Sequence, residues 1–95
     1  MANKKEFNIG VIGAGAWGTA LANILAQKQH VRLWAKEKSV CENIKKHREN
    51  KRFLPKIKLN KKIICTTEIY NVSDCEILFL VSPVQYLSGV LTKLK

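Results

Sequence analysis

The chain has 95 residues, enough for one small domain but too few for a complete doubly wound sheet, whose strand–helix–strand units take about 30 residues each. At 46% hydrophobic and 25% charged it has a globular composition, with no run near the ~18 apolar residues that would span a membrane. The net charge of +10 suits polyanionic ligands, yet the lysines from Lys36 to Lys62 have no interleaved aromatic stacking platform, so a solvated basic face is expected rather than nucleic-acid binding.

Residues 7–12 are short, apolar and β-branched, which predicts a buried parallel strand. They run straight into Gly13-Ala14-Gly15-Ala16-Trp17-Gly18, a G-x-G-x-x-G turn. In that pattern Gly13 permits a tight bend, Gly15 lets the backbone approach a pyrophosphate, and Gly18 lets the next helix pack closely on the sheet. That helix is expected over 16–27. Trp17, Leu21, Ile24 and Leu25 form one apolar face, and the small Ala20 and Ala22 allow close approach. A second strand is expected over 31–35 and a lysine-rich helix over 38–47, with Val40, Cys41 and Ile44 as its thin apolar stripe. A long loop over 49–62 holds Pro55, which biases Leu54 to an extended conformation. A third strand is expected over 63–67, a short turn over 68–73 and a fourth strand over 76–81, the most hydrophobic run in the chain. Pro83 then opens a helix over 85–94. The alternation predicts an α/β chain of Rossmann-like, doubly wound architecture: about four parallel strands with flanking helices, one domain part over 1–95.

The candidate site follows from this order. In such sheets ligands lie across the carboxyl ends of the strands. Lys36 stands at the end of the second strand, where an acid would hold the ribose 2′-hydroxyl of NAD; a cation there suits the 2′-phosphate of NADP. NADP is therefore favoured over NAD, with Glu37 one residue on as a possible ribose acceptor. Trp17 either packs on the core or walls the cofactor pocket while its backbone N–H faces phosphate. Phe53 either packs its loop down or lines the adenine side. Ser82 and Pro83 fall where the nicotinamide half would lie, unless Ser82 only caps a helix. No catalytic group can be named: His30, His47 and Asp74 all fall in positions that read as structural or solvated. Cys41, Cys65 and Cys75 show no C-x-x-C or metal-ligand spacing, so three free thiols and no metal are expected. With no signal peptide or membrane span in view, the cytoplasm is the expected compartment.

Several runs resemble the start of the bacterial NAD(P)-dependent glycerol-3-phosphate dehydrogenases. These are Gly13 to Ala22, Val31-Arg32-Leu33-Trp34, the loop His47 to Pro55, Thr66-Thr67 and the segment Glu76 to Pro83. The resemblance covers essentially the whole chain. It departs from the family at Ala16 (often Ser), Lys36 (Arg or His), Gln29 (Gly) and Ser82-Pro83, where the family order is Pro then a small residue. The resemblance implies reduction of dihydroxyacetone phosphate to sn-glycerol 3-phosphate with NAD(P)H, for phospholipid synthesis. It places Ala16 and Trp17 at the pyrophosphate, Lys36 and Glu37 at the adenine ribose, and Phe53 near the adenine. It also implies that the catalytic lysines and a helical substrate domain lie downstream of Lys95, so that these 95 residues alone are inactive. A homodimer is left open for the full-length enzyme. The alternative is a stand-alone or relic dinucleotide-binding module without catalysis.

Overall fold

The apolar runs become short strands and the segments between them become helices, in the expected order. The computed structural model describes residues 8–81. The elements are β1 (Ile9–Ile12), α1 (Ala16–Leu25), β2 (Val31–Trp34), α2 (Lys38–His47), β3 (Ile63–Thr66), α3 (Tyr70–Ser73) and β4 (Ile77–Leu80). The strands form one four-stranded sheet in the order β3-β2-β1-β4, every neighbour parallel. Ile9 pairs with Val31 on one side and Ile77 on the other, and Ile12 with Trp34 and Leu80. The strands and α1 are one or two residues shorter than expected. Phe7, Ser82, Pro83 and the helix expected over 85–94 lie outside the described residues.

Successive side chains on a strand point to opposite faces, so each strand feeds two layers. On one face Ile9, Val11, Val31, Leu33, Ile63 and Cys65 pack against Ala22 and Ala26 of the α1 segment and Val40, Cys41 and Ile44 of α2. On the other, Ile12 and Trp34 pack against Ile69 and Val72 of the α3 segment. Gly10 points the same way: an added Cβ would meet Leu78 Cδ2 at 2.8 Å and Val72 Cβ at 3.2 Å. Helices on both faces of a parallel sheet make the fold doubly wound.

Helix α1 buries small residues rather than most of its large apolar ones, although Leu25 packs against the main core. Its buried residues are Gly18, Thr19 and Ala22, while Trp17 is 83% and Ile24 62% exposed. Trp17 is therefore not a core residue. A helix that starts inside a glycine turn lies too close to the sheet for large side chains, so the small residues face it. Helix α2 buries the expected Val40, Cys41 and Ile44. Lys45, Lys46 and His47 in its last turn complement the negative end of its dipole. It stops at Arg48, which adopts the left-handed conformation (φ 53°) and returns its N–H to the Ile44 carbonyl at 2.9 Å. The Arg48 guanidinium then donates to the Asn60 and Ile63 carbonyls, and the Arg48 carbonyl accepts from Leu59 N–H at 2.7 Å. One residue thus closes the long loop back onto β3.

Candidate dinucleotide site

Strand β1 has β2 on one side and β4 on the other, so the chain order reverses at β1. The crevice beyond the carboxyl ends of such strands is where ligands sit in open α/β sheets. Hydrogen bonding continues into it: Gly13 N–H donates to the Trp34 carbonyl at 3.0 Å, and Val81 N–H to the Ile12 carbonyl at 2.9 Å.

The glycine turn opens at that point, and its three glycines are held by different constraints. Gly13 has φ 116°, a conformation that strongly favours glycine. A Cβ on Gly18 would lie 1.7 Å from the Gly13 carbonyl oxygen, so helix and turn touch backbone to backbone there. Gly15 has nothing within 4 Å of an added Cβ. It faces open space at the start of α1. Gly15 is the helix N-cap, with no side-chain cap and no acidic residue in the first turn. The positive end of the helix therefore has neither a capping side chain nor a first-turn acid of its own. An uncapped helix start behind a glycine with an open face fits an anionic pyrophosphate.

Asn50 holds this turn in place. It is fully buried, and its Nδ2 donates to the Ala14 carbonyl at 2.9 Å and to Thr19 Oγ1 at 2.8 Å. Thr19 Oγ1 donates in turn to the Ala14 carbonyl at 3.2 Å, and Asn50 Oδ1 accepts from Phe53 N–H at 3.3 Å. Both amide hydrogens are used, and both partners lie in the turn or the helix it starts. Sequence reasoning did not single out Asn50 or Thr19. Asn50 stood within the His47 to Pro55 run, but nothing local marks an asparagine in a loop as buried.

Of the other expected residues, Lys36, Glu37 and Phe53 lie among the described ones. Lys36 and Glu37 follow β2 after Ala35. Glu37 is the extended N-cap of α2, and its carboxylate pairs with the Arg52 guanidinium. Arg52 also lies 4.9 Å from the centroid of the Phe53 ring, within cation–π range. Phe53 is partly buried against the main core. The structure thus joins Glu37, Arg52 and Phe53 into one corner, tied through Asn50 to the glycine turn. Asp74 pairs with Arg32 at 3.2 Å on the α3 side, and His30 and His47 are exposed. Among the described residues no group of His, Cys, Asp or Glu could hold a metal ion, and no helix is long and apolar enough to cross a membrane.

Residues 8–95 match the family model described as the N-terminus of NAD-dependent glycerol-3-phosphate dehydrogenase. The chain belongs to that family. An NAD(P)+ glycerol-3-phosphate dehydrogenase of Novosphingobium aromaticivorans is 44% identical over 86 residues, covering 90% of this chain and 26% of that protein. One from Carboxydothermus hydrogenoformans is 40% identical over 92 residues, covering 95% and 27%. Among solved structures, glycerol-3-phosphate dehydrogenase of Saccharomyces cerevisiae superposes with TM-score 0.87 at 26% identity, over 96% of this chain and 30% of that one. The Coxiella burnetii enzyme gives 0.79 at 31% identity, over 93% and 28%. The chain therefore spans roughly a quarter of the length of the curated relatives it matches, and it corresponds to the N-terminal, NAD-binding region of the family.

Proposed function

We propose that this chain is the front part of the cofactor domain of an enzyme that reduces dihydroxyacetone phosphate to sn-glycerol 3-phosphate with NAD(P)H. The observation that carries this reading is the open Gly15 face at the uncapped start of α1, built on the Gly13–Gly18 backbone contact. The chain's own work is binding and orientation. Backbone N–H groups at Ala16 and Trp17 meet the pyrophosphate, and the exposed Trp17 ring walls the pocket. Lys36 and Glu37 lie at the adenine ribose and Phe53 at the adenine. Ser82 and Pro83 belong to the nicotinamide end. When bound, the nicotinamide supplies the hydride. The lysines that act on the substrate oxygen belong to the remainder of the enzyme, so residues 1–95 bind without turnover.

NADP is the favoured cofactor. Lys36 and Arg52 put two cations beside the one carboxylate of Glu37, so the corner is basic. A 2′-phosphate is drawn to such a corner. Titration calorimetry of the chain with NADPH and with NADH tests this. Lys36→Glu is expected to weaken NADPH binding by about 1.5–3 kcal/mol, the scale of a charge-assisted hydrogen bond, and to leave NADH nearly unchanged. Equal losses for both would reject the role of Lys36. No binding of either cofactor to the folded parent chain would reject the site itself.

A further inference from the structure

Cys41 on α2 and Cys65 on β3 are 24 residues apart in sequence, yet their Sγ atoms approach to 2.6 Å. Both are buried in the main core, at 4% and 2% exposure. A disulfide needs about 2.03–2.05 Å between sulfurs, so the two thiols are within a small side-chain adjustment of bonding distance. The third thiol, Cys75, belongs to the opposite face of the sheet, packed against Ile12, Trp34, Ile69 and Val72. The sheet therefore separates Cys75 from the other two.

We propose that Cys41 and Cys65 are a peroxide-sensitive dithiol that closes to a disulfide in the folded chain, locking α2 to β3. The two sulfurs are not equivalent. The contact with Cys65 is the largest influence and lowers the Cys41 pKa, burial opposes it, and Lys45, one turn further along α2, assists. The same contact, with burial, raises Cys65. Cys41, one helical turn before Lys45 on α2, is the sulfur that attacks first, and Cys65 resolves. The Cys41 thiolate attacks one oxygen of hydrogen peroxide. The O–O bond breaks, hydroxide leaves and takes up a proton as water, and Cys41 becomes a sulfenic acid. Cys65 sulfur then attacks the Cys41 sulfur. The S–S bond forms, the S–O bond breaks, and the Cys65 proton leaves with the hydroxyl as a second water. Two thiols lose two electrons in total and the peroxide gains them. Peroxide is scarcely larger than water, and local opening of α2, which rests on only Val40, Cys41 and Ile44, admits it.

The bridge would close a ring over residues 42–64, the segment that carries Asn50, Arg52 and Phe53. Binding of the cofactor is not required for it, so its test is independent of the proposed function. The 95-residue chain, shown folded by its urea transition, is treated with hydrogen peroxide, its remaining thiols are alkylated, and the disulfides are mapped by mass spectrometry. The expected product joins the Cys41 peptide to the Cys65 peptide within one chain, with Cys75 alkylated. In strong denaturant the same treatment should instead favour the short Cys65–Cys75 loop, because closure costs less for fewer residues. Cys65→Ser should leave a sulfenic acid on Cys41 that dimedone captures, whereas Cys41→Ser should leave none on Cys65. The oxidised chain should also unfold at higher urea than the reduced one. The proposal is overturned if native and denatured chains give the same pairings, or if peroxide leaves both buried thiols open to alkylation on unfolding. A lower urea midpoint after oxidation would also count against it, since the folded core would then have to strain to form the bond.

Discussion

Strands β1 and β4 lie side by side in register, four residues each and wholly apolar apart from Gly10, yet their environments differ. Every residue of Ile9–Ile12 is buried, whereas Ile77–Leu80 is exposed or half-buried throughout, with Ile77 36% and Leu80 43% exposed. The fourth strand lies in the most hydrophobic run of the sequence and is the least buried strand of the sheet. What separates them is position. β1 is flanked by strands on both sides and covered by α1 on one face and α3 on the other. β4 is the edge of the described sheet. Hydrophobicity of a run thus gives its strand character, while burial depends on which neighbours the topology supplies.

The contrast can be pressed from the largest effect to the smallest. Gly18→Ala should be the most damaging change, because its Cβ would sit 1.7 Å from a backbone oxygen that belongs to the turn itself. About 4 kcal/mol or more of stability should be lost, read as a collapse of the urea midpoint, since neither α1 nor the turn can give way. A midpoint within measurement error of the parent would show that the α1–turn contact is looser than described. Ile12→Ala comes next. This side chain is fully buried, and its removal should cost about 3 kcal/mol, the usual range for a large-to-small change in a core. Asn50→Ala should cost about 2 kcal/mol by stripping a buried donor from the Ala14 carbonyl and Thr19 hydroxyl. Because that change loosens the turn rather than the sheet, NADPH affinity should fall as well. A stability loss with unchanged affinity would separate Asn50 from the site. Leu80→Ala, opposite Ile12 in register, should cost only about 0.5 kcal/mol. If Ile12→Ala and Leu80→Ala proved equally costly, the difference between the two strands would not hold in solution.

Much of this fold is legible in the sequence because its signals are local. The strand–turn–helix passage from Ile9 to Leu25 is readable from an apolar run and three glycines at fixed spacing. The span of α2 is readable from its stripe and its basic last turn. The inward face of α1 is misread for a physical reason. Trp17, Leu21, Ile24 and Leu25 do share a face, but Gly18 in contact with Gly13 fixes the helix so close that Gly18, Thr19 and Ala22 are the residues it buries, with Leu25 only partly buried on the core. The site is half legible. Its glycines announce themselves. Asn50 and Arg52 come from a loop whose path back to the turn no neighbouring residue reveals, and the Arg48 clamp that sets this path acts on carbonyls twelve and fifteen residues away.

By itself the sequence determined the alternation of strand and helix, the parallel doubly wound class, and a strand–turn–helix passage at Gly13, Gly15 and Gly18. Each of these depends on backbone conformation or on periodicity within a few residues. Only the tertiary structure decided which residues of α1 meet the sheet, that Asn50 anchors the turn, that Glu37 is held by Arg52, that Cys41 meets Cys65, and that β4 is the edge of the described sheet. Those outcomes rest on contacts between residues far apart in the chain, and distance along a sequence carries no record of which segments the folding of the sheet will bring together.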